Sequence, residues 1–542
     1  MPTAETFNAQ LSSMNPESFT RSGSFGPASL VQSIFATKIG AFEHVPTLED
    51  YLEQEKPRMY GDSRMKTALG ELSDGKMCPL DAVIIDTYVQ PIDRGPVPGA
   101  DLLHSWQYQM TGKATAAQVL LDIKADLIES GGLLGMHGVA GKFISQNQLD
   151  DTFFIIDLGN VMRMLQAWRA AMPRVTPFYA VKCYPDVGML RLMAAMDMGF
   201  DCASAGEVET VLSLGVHPSR IIFAHPCKRP CDIRYAREHG VEYTTFDTES
   251  ELHKMAAMNP GFKCVLRIRA DDPDARVQLG LKYGAEVEEA DDLLRTAREL
   301  GLNVVGVSFH VGSACKNMTA FTSAIEKARV IFDKAALLGF DMELLDIGGG
   351  FTGNFDAAGN VIFGDIATTL NSAIAASFPE EMNVRVIAEP GRYFAETSST
   401  LMTPIYGQRV RTDAVTKALS KDYWITDGLY GSMNCMLYDG QNPEYSVMRS
   451  PLLPACGPEL SVMETSTIWG PTCDSADVVY KDVQLPQIRN GDWLLWPNAG
   501  AYTLAGACDF NGINFTCPNK YYVFSESAVD AITSSAVETM AA

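Results

Sequence analysis

Lys182 closes the run FYAVKC (178–183), a stretch of aromatic and β-branched residues. A lysine at the end of such a strand is either a solvated charge or an amine able to condense with an aldehyde cofactor. Two other segments bear on that choice: Gly348, Gly349 and Gly350 in LLDIGGG (344–350), and Gly391 with Arg392 in AEPGR. Glycines let backbone N–H groups approach phosphate oxygens, and an arginine adds charge-assisted hydrogen bonds. A tight turn that needs positive φ would explain the glycine triplet without any ligand. Glu389 could bond the nitrogen of a pyridine ring and keep it protonated, or it is a solvated loop carboxylate. His310, near the end of VVGVSFHV, could stack on such a ring, or it is a satisfied buried imidazole.

These residues need a scaffold that gathers strand ends. Eight short apolar runs occur in order: FYAVKC, GFDCAS (199–204), IIFAH (221–225), YTTFD (243–247), CVLRIR (264–269), VVGVSFHV (304–311), LLDIGGG and VRVIAEPG (384–391). Amphipathic stretches long enough for helices separate them, the signature of a (β/α)8 barrel over residues 150–398. Lys182, Asp201, Ser204, His225, Asp247, Arg267, His310, Asp346 and Glu389 fall at or near the carboxyl ends of the runs, the active-site face of such a barrel. Phosphate sites in barrels follow the seventh and eighth strands, where the glycine-bearing segments stand. A doubly wound open sheet would give the same alternation, so the barrel rests on the count of eight and on the clustered polar ends.

Beyond residue 398 the helical alternation stops. Short strand-like pieces such as YWITDG, STIWG, DWLLWP and YYVFS alternate with turn residues, predicting a β-rich domain over 399–530. FFIIDL (153–158) either opens the barrel or joins that second domain, through a strand from 136–156. Residues 1–135 read as a separate N-terminal extension of unassigned role. It holds the break GPVPGA (95–100), a strand candidate VIIDTYV (83–89) and a helix-spaced stretch, AAQVLLDIKADLIES (116–130).

Composition narrows the function. The chain has 542 residues, a hydrophobic fraction of 46% and a charged fraction of 20%, as expected of a folded globular protein. A formal charge of -23 repels nucleic acid and suits a cationic substrate. Twelve cysteines without dense, regular spacing read as reduced thiols in a cytoplasmic protein. Cys227 and Cys231 have no second ligand pair, so no metal is expected. No apolar run is long enough to span a membrane, and Glu5 and Glu17 argue against a transit peptide at the N-terminus.

FYAVKC, GFDCAS, GVSFHVGS, LLDIGGGF, AEPGRY, DGLYGS, LYD, WGPTCD and GAYT, in this order, resemble the motifs of the eukaryotic ornithine decarboxylases. The resemblance implies an alanine-racemase-like barrel with a β domain. It also implies a homodimer whose active sites, shared between subunits, hold pyridoxal 5'-phosphate. Carried over residue by residue, it makes Lys182 the cofactor lysine, with Asp201 and Arg267 near it and Glu207 supporting that wall. His310 stacks on the ring and Glu389 pairs with its nitrogen. Ser313, Gly350, Arg392 and Tyr502 hold the phosphate, with Gly349 and Gly391 in the same loops. Tyr438 and Asp439 lie on the lysine's subunit, while Cys473, a late proton donor, and Asp474 enter from the other. The two aspartates clamp the far ammonium of a basic amino acid, making L-ornithine the expected substrate and putrescine the product.

Departures from the family pattern bear on selectivity. GQNPEYSV (440–447) differs from the His-rich version of animal enzymes, which leaves lysine and arginine as alternative substrates. The same fold also carries inactive regulators resembling the antizyme inhibitors, and the resemblance admits an antizyme-like regulator as a partner. Lys182, Asp201, Arg267, Gly348, Cys473 and Asp474 are all present here, which favours an enzyme. A racemase on this barrel is expected to set an arginine against the ring nitrogen, where this chain has Glu389.

Overall fold

The computed structural model describes residues 126–128, 132–270, 280–315, 317–353, 363–454 and 461–525. Most of the expected N-terminal extension, with its 83–89 strand candidate and Pro/Gly break, lies outside them. Of the helix-spaced stretch 116–130, only strand β1 (Asp126–Ile128) is described. Those three residues are extended rather than helical, and the rest of that stretch lies outside the described residues.

Eight strands close into a parallel barrel: β3 (Val175–Ala180), β4 (Gly199–Cys202), β5 (Ile221–Phe223), β6 (Tyr243–Phe246), β7 (Lys263–Ile268), β8 (Asn303–Phe309), β9 (Leu344–Asp346) and β10 (Arg385–Ala388). β10 pairs with β9 on one side and β3 on the other, which shuts the cylinder and rules out an open sheet. Each expected run overlaps one of these strands. Phe178, Ile222, Val265, Val305, Leu344 and Ile387, from six of the eight strands, pack together in the barrel interior. Burying each such side chain contributes about 1.5–3 kcal/mol.

The helices between strands start where their sequences cap them. The side chains of Asp186, Ser204 and Thr248 accept from the backbone N–H of Met189, Glu207 and Glu251. A cap of this kind contributes about 0.5–2 kcal/mol and fixes where the chain leaves the strand. Capping therefore sets the loops at the barrel mouth.

FFIIDL resolves in favour of the second domain, but the expected strand range 136–156 is helical up to Asn147 and extended only from Phe153. Its strand, β2 (Phe153–Asp157), pairs antiparallel with β11 (Ser399–Thr412) and parallel with β17 (Asn519–Ser525). The sheet continues from β11 through β12 (Leu419–Ile425) and β14 (Met463–Trp469) to β15 (Val478–Pro486), while β16 (Trp493–Trp496) pairs with β11 and with β13 (Ser446–Met448). Phe153, Ile155, Met402, Trp493, Leu495 and Val523 form its core with Ala140, Phe143 and Ile144 of the helix Gly132–Asn147. The β domain is thus built from both sides of the barrel sequence. No described helix is long and apolar enough to cross a membrane.

Candidate active site

Lys182 stands in the turn directly after β3, and its ammonium pairs with the carboxylate of Asp201 on the neighbouring strand β4. Asp201 is fully buried, while 39% of the lysine side chain remains exposed. Burial works against the charge, but Asp201, then Glu389 and Tyr502, outweigh it and hold the ammonium above its ordinary range. Glu207 supports this wall: the Ser204 hydroxyl accepts from the Glu207 N–H at 3.2 Å, and the Glu207 carboxylate accepts from the Ala203 N–H at 2.7 Å.

Asp346 ends β9, Glu389 follows β10, and the two face the same space. Burial pushes both carboxyl groups up, and Asp201 adds repulsion to each. Asp201 Oδ1 and Asp346 Oδ2 are buried without a hydrogen-bond partner. Three acidic groups around Lys182, two of them with orphaned oxygens, suit an additional cation or donor such as a protonated ring nitrogen.

His310 follows β8, and its Nδ1 accepts from the Gly312 N–H at 3.0 Å, which leaves the ring proton on Nε2. Burial, with the charges of Arg267 and Lys182, pushes its pKa well below the ordinary value, so the ring is neutral. Arg267 lies 5.5 Å from the centre of the Tyr283 ring, and Tyr283 packs edge-on to His225. His310 thus presents an uncharged aromatic surface beside the lysine.

The glycine triplet forms a cradle. Gly348 and Gly350 have φ of 63° and 109°. A Cβ on Gly349 would stand 2.7 Å from His310 Nε2 and 2.9 Å from the Glu389 carbonyl oxygen, and one on Gly350 would stand 3.0 Å from the Gly312 oxygen. On Gly391 it would stand 2.8 Å from Cys183 Cβ, so this loop also tolerates no side chain. Ser313 Oγ accepts from Arg392 Nη2 at 3.1 Å, and the guanidinium lies 5.2 Å from the centre of the Tyr502 ring. Tyr502, at φ 56°, donates its N–H to the Cys183 carbonyl at 2.9 Å, which ties the β domain to the residue after Lys182.

Asp439 is buried and takes two 2.6 Å contacts from Arg392 Nη2. Gln441 donates to the same carboxylate at 2.6 Å. Tyr438, beside it, is 75% exposed. Cys473 is exposed on the turn after β14, where its N–H donates to Asn511 Oδ1 at 2.9 Å. The Tyr430 hydroxyl donates to Asp474, and Tyr430 stacks on Phe510 at 4.2 Å. Within one chain, Lys182, Asp201, Glu207, Arg267, His310, Ser313, Gly349, Gly350, Glu389, Gly391, Arg392, Asp439 and Tyr502 therefore gather around the mouth. Cys473 and Tyr438 are exposed, and Asp474, bonded to Tyr430, is half-buried on the same turn as Cys473.

Sequence reasoning assigned no role to Asp346, Glu396 or Gln441. Glu396 carried a signal, one helical turn beyond Arg392, and Gln441 stands two residues after Asp439 in the departing GQNPEYSV segment. Asp346 was visible only as another polar strand end.

The closed barrel thus carries a lysine–aspartate pair, two further buried acidic groups and a glycine-rich loop beside an arginine at its mouth, the arrangement of a barrel enzyme. Residues 158–396 match the family described as pyridoxal-dependent decarboxylase, pyridoxal binding domain. Ornithine decarboxylase of Rattus norvegicus is 43% identical over 392 residues, 71% of this chain and 83% of the rat protein. Antizyme inhibitor 2 of Xenopus laevis is 42% identical over 395 residues, 72% of this chain and 84% of that protein. The crystal structure of the Paramecium bursaria Chlorella virus arginine decarboxylase bound to agmatine superposes with a TM-score of 0.65 at 37% identity, covering 71% of this chain and all of the viral one. This chain belongs to the pyridoxal-dependent decarboxylase family that includes the ornithine decarboxylases, on a fold type III barrel with pyridoxal 5'-phosphate as cofactor.

Proposed function

We propose that this chain decarboxylates L-ornithine to putrescine and CO2, in a homodimer whose two active sites each draw on both subunits. The observation that carries the reading is the Lys182–Asp201 pair at the barrel mouth, partly open and flanked by Glu389 and the glycine cradle. When bound, the cofactor supplies an electron sink for the charge left on the α-carbon as CO2 departs.

Each residue has a task in that reaction. Lys182 anchors the cofactor covalently, and Asp201 keeps its amine positioned. Glu389, backed by Asp346, holds a proton at the ring nitrogen, while neutral His310 packs on the ring face. Ser313, the Gly349–Gly350 backbone, Gly391, Arg392 and Tyr502 take the phosphate. Asp439 of one subunit and Asp474 of the other bind the far ammonium, and the Cys473 thiol returns a proton to the α-carbon. Exposure of Cys473 and Tyr438, with exposed Leu437 and Phe510, supports completion of the site by a second copy. Polyamine synthesis follows from this activity, and a cytoplasmic location is part of the same proposal.

The Xenopus relative favours a second reading, a regulator that binds an antizyme-like partner without catalysis. Borohydride reduction of cofactor-loaded protein separates the two. Enzymatic function predicts cofactor fixed on Lys182 and putrescine formed before reduction; a protein that fixes no cofactor and forms no amine is the regulator.

A further inference from the structure

Two carboxylates close on Arg392. Glu396, one helical turn further along, stands 3.4 Å from Nη1 and accepts a 2.8 Å hydrogen bond from the hydroxyl of Thr352, two residues past Gly350. Asp439 lies against Nη2 with both oxygens at 2.6 Å. All three side chains are buried, at 3% exposure for Arg392, 5% for Glu396 and 6% for Asp439.

A phosphate monoester carries a charge of about -1.5 to -2. Placed on Ser313, Gly350 and Arg392, it needs the Nη2 donors that Asp439 occupies, and it would sit in a buried site already holding two acidic groups for one guanidinium. The two acids differ in how firmly they are fixed. Glu396 shares a helical turn with Arg392 and is pinned by Thr352 from the glycine-rich loop. Asp439 caps the short helix Cys435–Tyr438 and keeps a second partner in Gln441.

We propose that Asp439 is a placeholder for the cofactor phosphate on Arg392: loading the cofactor displaces its carboxylate, which then becomes available to the substrate's distal ammonium, while Glu396 stays as the positioning residue of Arg392. Cofactor binding thereby arms the substrate clamp, and an unloaded subunit holds that clamp shut. The proposal rests on the reading of Asp439 as a substrate-binding residue.

Apo protein titrated with inorganic phosphate and with pyridoxal phosphate, by calorimetry, tests it in wild type, Asp439→Asn and Glu396→Gln. Removing the placeholder raises the fraction of Arg392 competent to bind, so Asp439→Asn should bind both probes more tightly, on the order of tenfold. Glu396→Gln should bind both more weakly by a similar factor. Structural damage alone would weaken both variants, so opposite signs are the mark of the exchange. Carbodiimide labelling of wild-type protein, read by mass spectrometry, needs no variant to fold: inorganic phosphate should raise modification of Asp439 severalfold. Equal or weaker phosphate binding by a folded Asp439→Asn, or labelling of Asp439 unchanged by phosphate, overturns the placeholder while leaving cofactor capture on Lys182 intact. Wild-type protein that binds no pyridoxal phosphate at all overturns the functional reading as well.

Discussion

The hydroxyl of Tyr522 lies 3.1 and 3.0 Å from the two carboxylate oxygens of Asp186, so the last strand of the β domain grips the loop four residues beyond Lys182. Asp186 is buried, caps the helix Val187–Ala195 and also meets Lys520 at 3.1 Å. The active-site lysine is thus positioned partly from the far end of the chain.

Tyr522→Phe removes that hydrogen bond and leaves a buried carboxylate short of a donor. A hydrogen bond to a charged group contributes about 1.5–3 kcal/mol, and urea unfolding of the apo protein should show a loss of about that size. An unchanged midpoint would mean that Lys520 and the Met189 N–H suffice for Asp186.

His310 gives the pH dependence a sign. Its folded pKa is depressed, so as pH falls through about 6.5 the unfolded chain takes up a proton that the folded chain refuses. Its contribution to stability is therefore full above that pH and is lost below it. His310→Gln removes the titration, and its urea midpoint should fall less than that of wild type between about pH 7 and pH 5. The raised carboxyl groups of Asp346 and Glu389 oppose this trend but are common to both proteins. An equal fall in both would remove His310 from the acid response.

Much of this was legible in the residues. The eight runs mark eight barrel strands because each is a short β-branched or aromatic stretch that ends in a polar or glycine residue. Lys182 and Asp201 were readable as neighbours because strands adjacent in sequence are adjacent in a barrel. What could not be read depends on partners distant in sequence. β2 sits before the barrel yet pairs with β11 and β17, and no local pattern states that. Arg392 and Asp439 are 47 residues apart and meet only because the β domain folds over the eighth strand's loop. The placement of Cys473 is open within one chain because its proposed task lies in another.

Glu389→Ala should leave capture of pyridoxal phosphate by Lys182 measurable while slowing CO2 release by about 100-fold or more, the scale of a lost acid–base group. Visible absorbance of the loaded protein and single-turnover rates report the two properties separately. Turnover at the wild-type rate would deny Glu389 a role at the ring nitrogen.

Cys473→Ala and Lys182→Ala should each be nearly inactive, and mixing them under conditions that exchange subunits should restore activity. In a mixed dimer one of the two sites has both residues intact. Native mass spectrometry confirms exchange, and no recovery despite proven exchange would contradict a site shared between copies.

Release of CO2 by protein loaded with pyridoxal phosphate, measured side by side with L-ornithine, L-lysine and L-arginine, tests the central claim most directly. Asp439, with Gln441 beside it, offers a carboxylate to an ammonium at one distance, and a buried charge left unpaired by a substrate of the wrong length is costly. The predicted result is CO2 and putrescine from ornithine, with a higher kcat/KM than for lysine or arginine and no release by Lys182→Ala. Loaded protein that releases CO2 from none of the three would contradict the account.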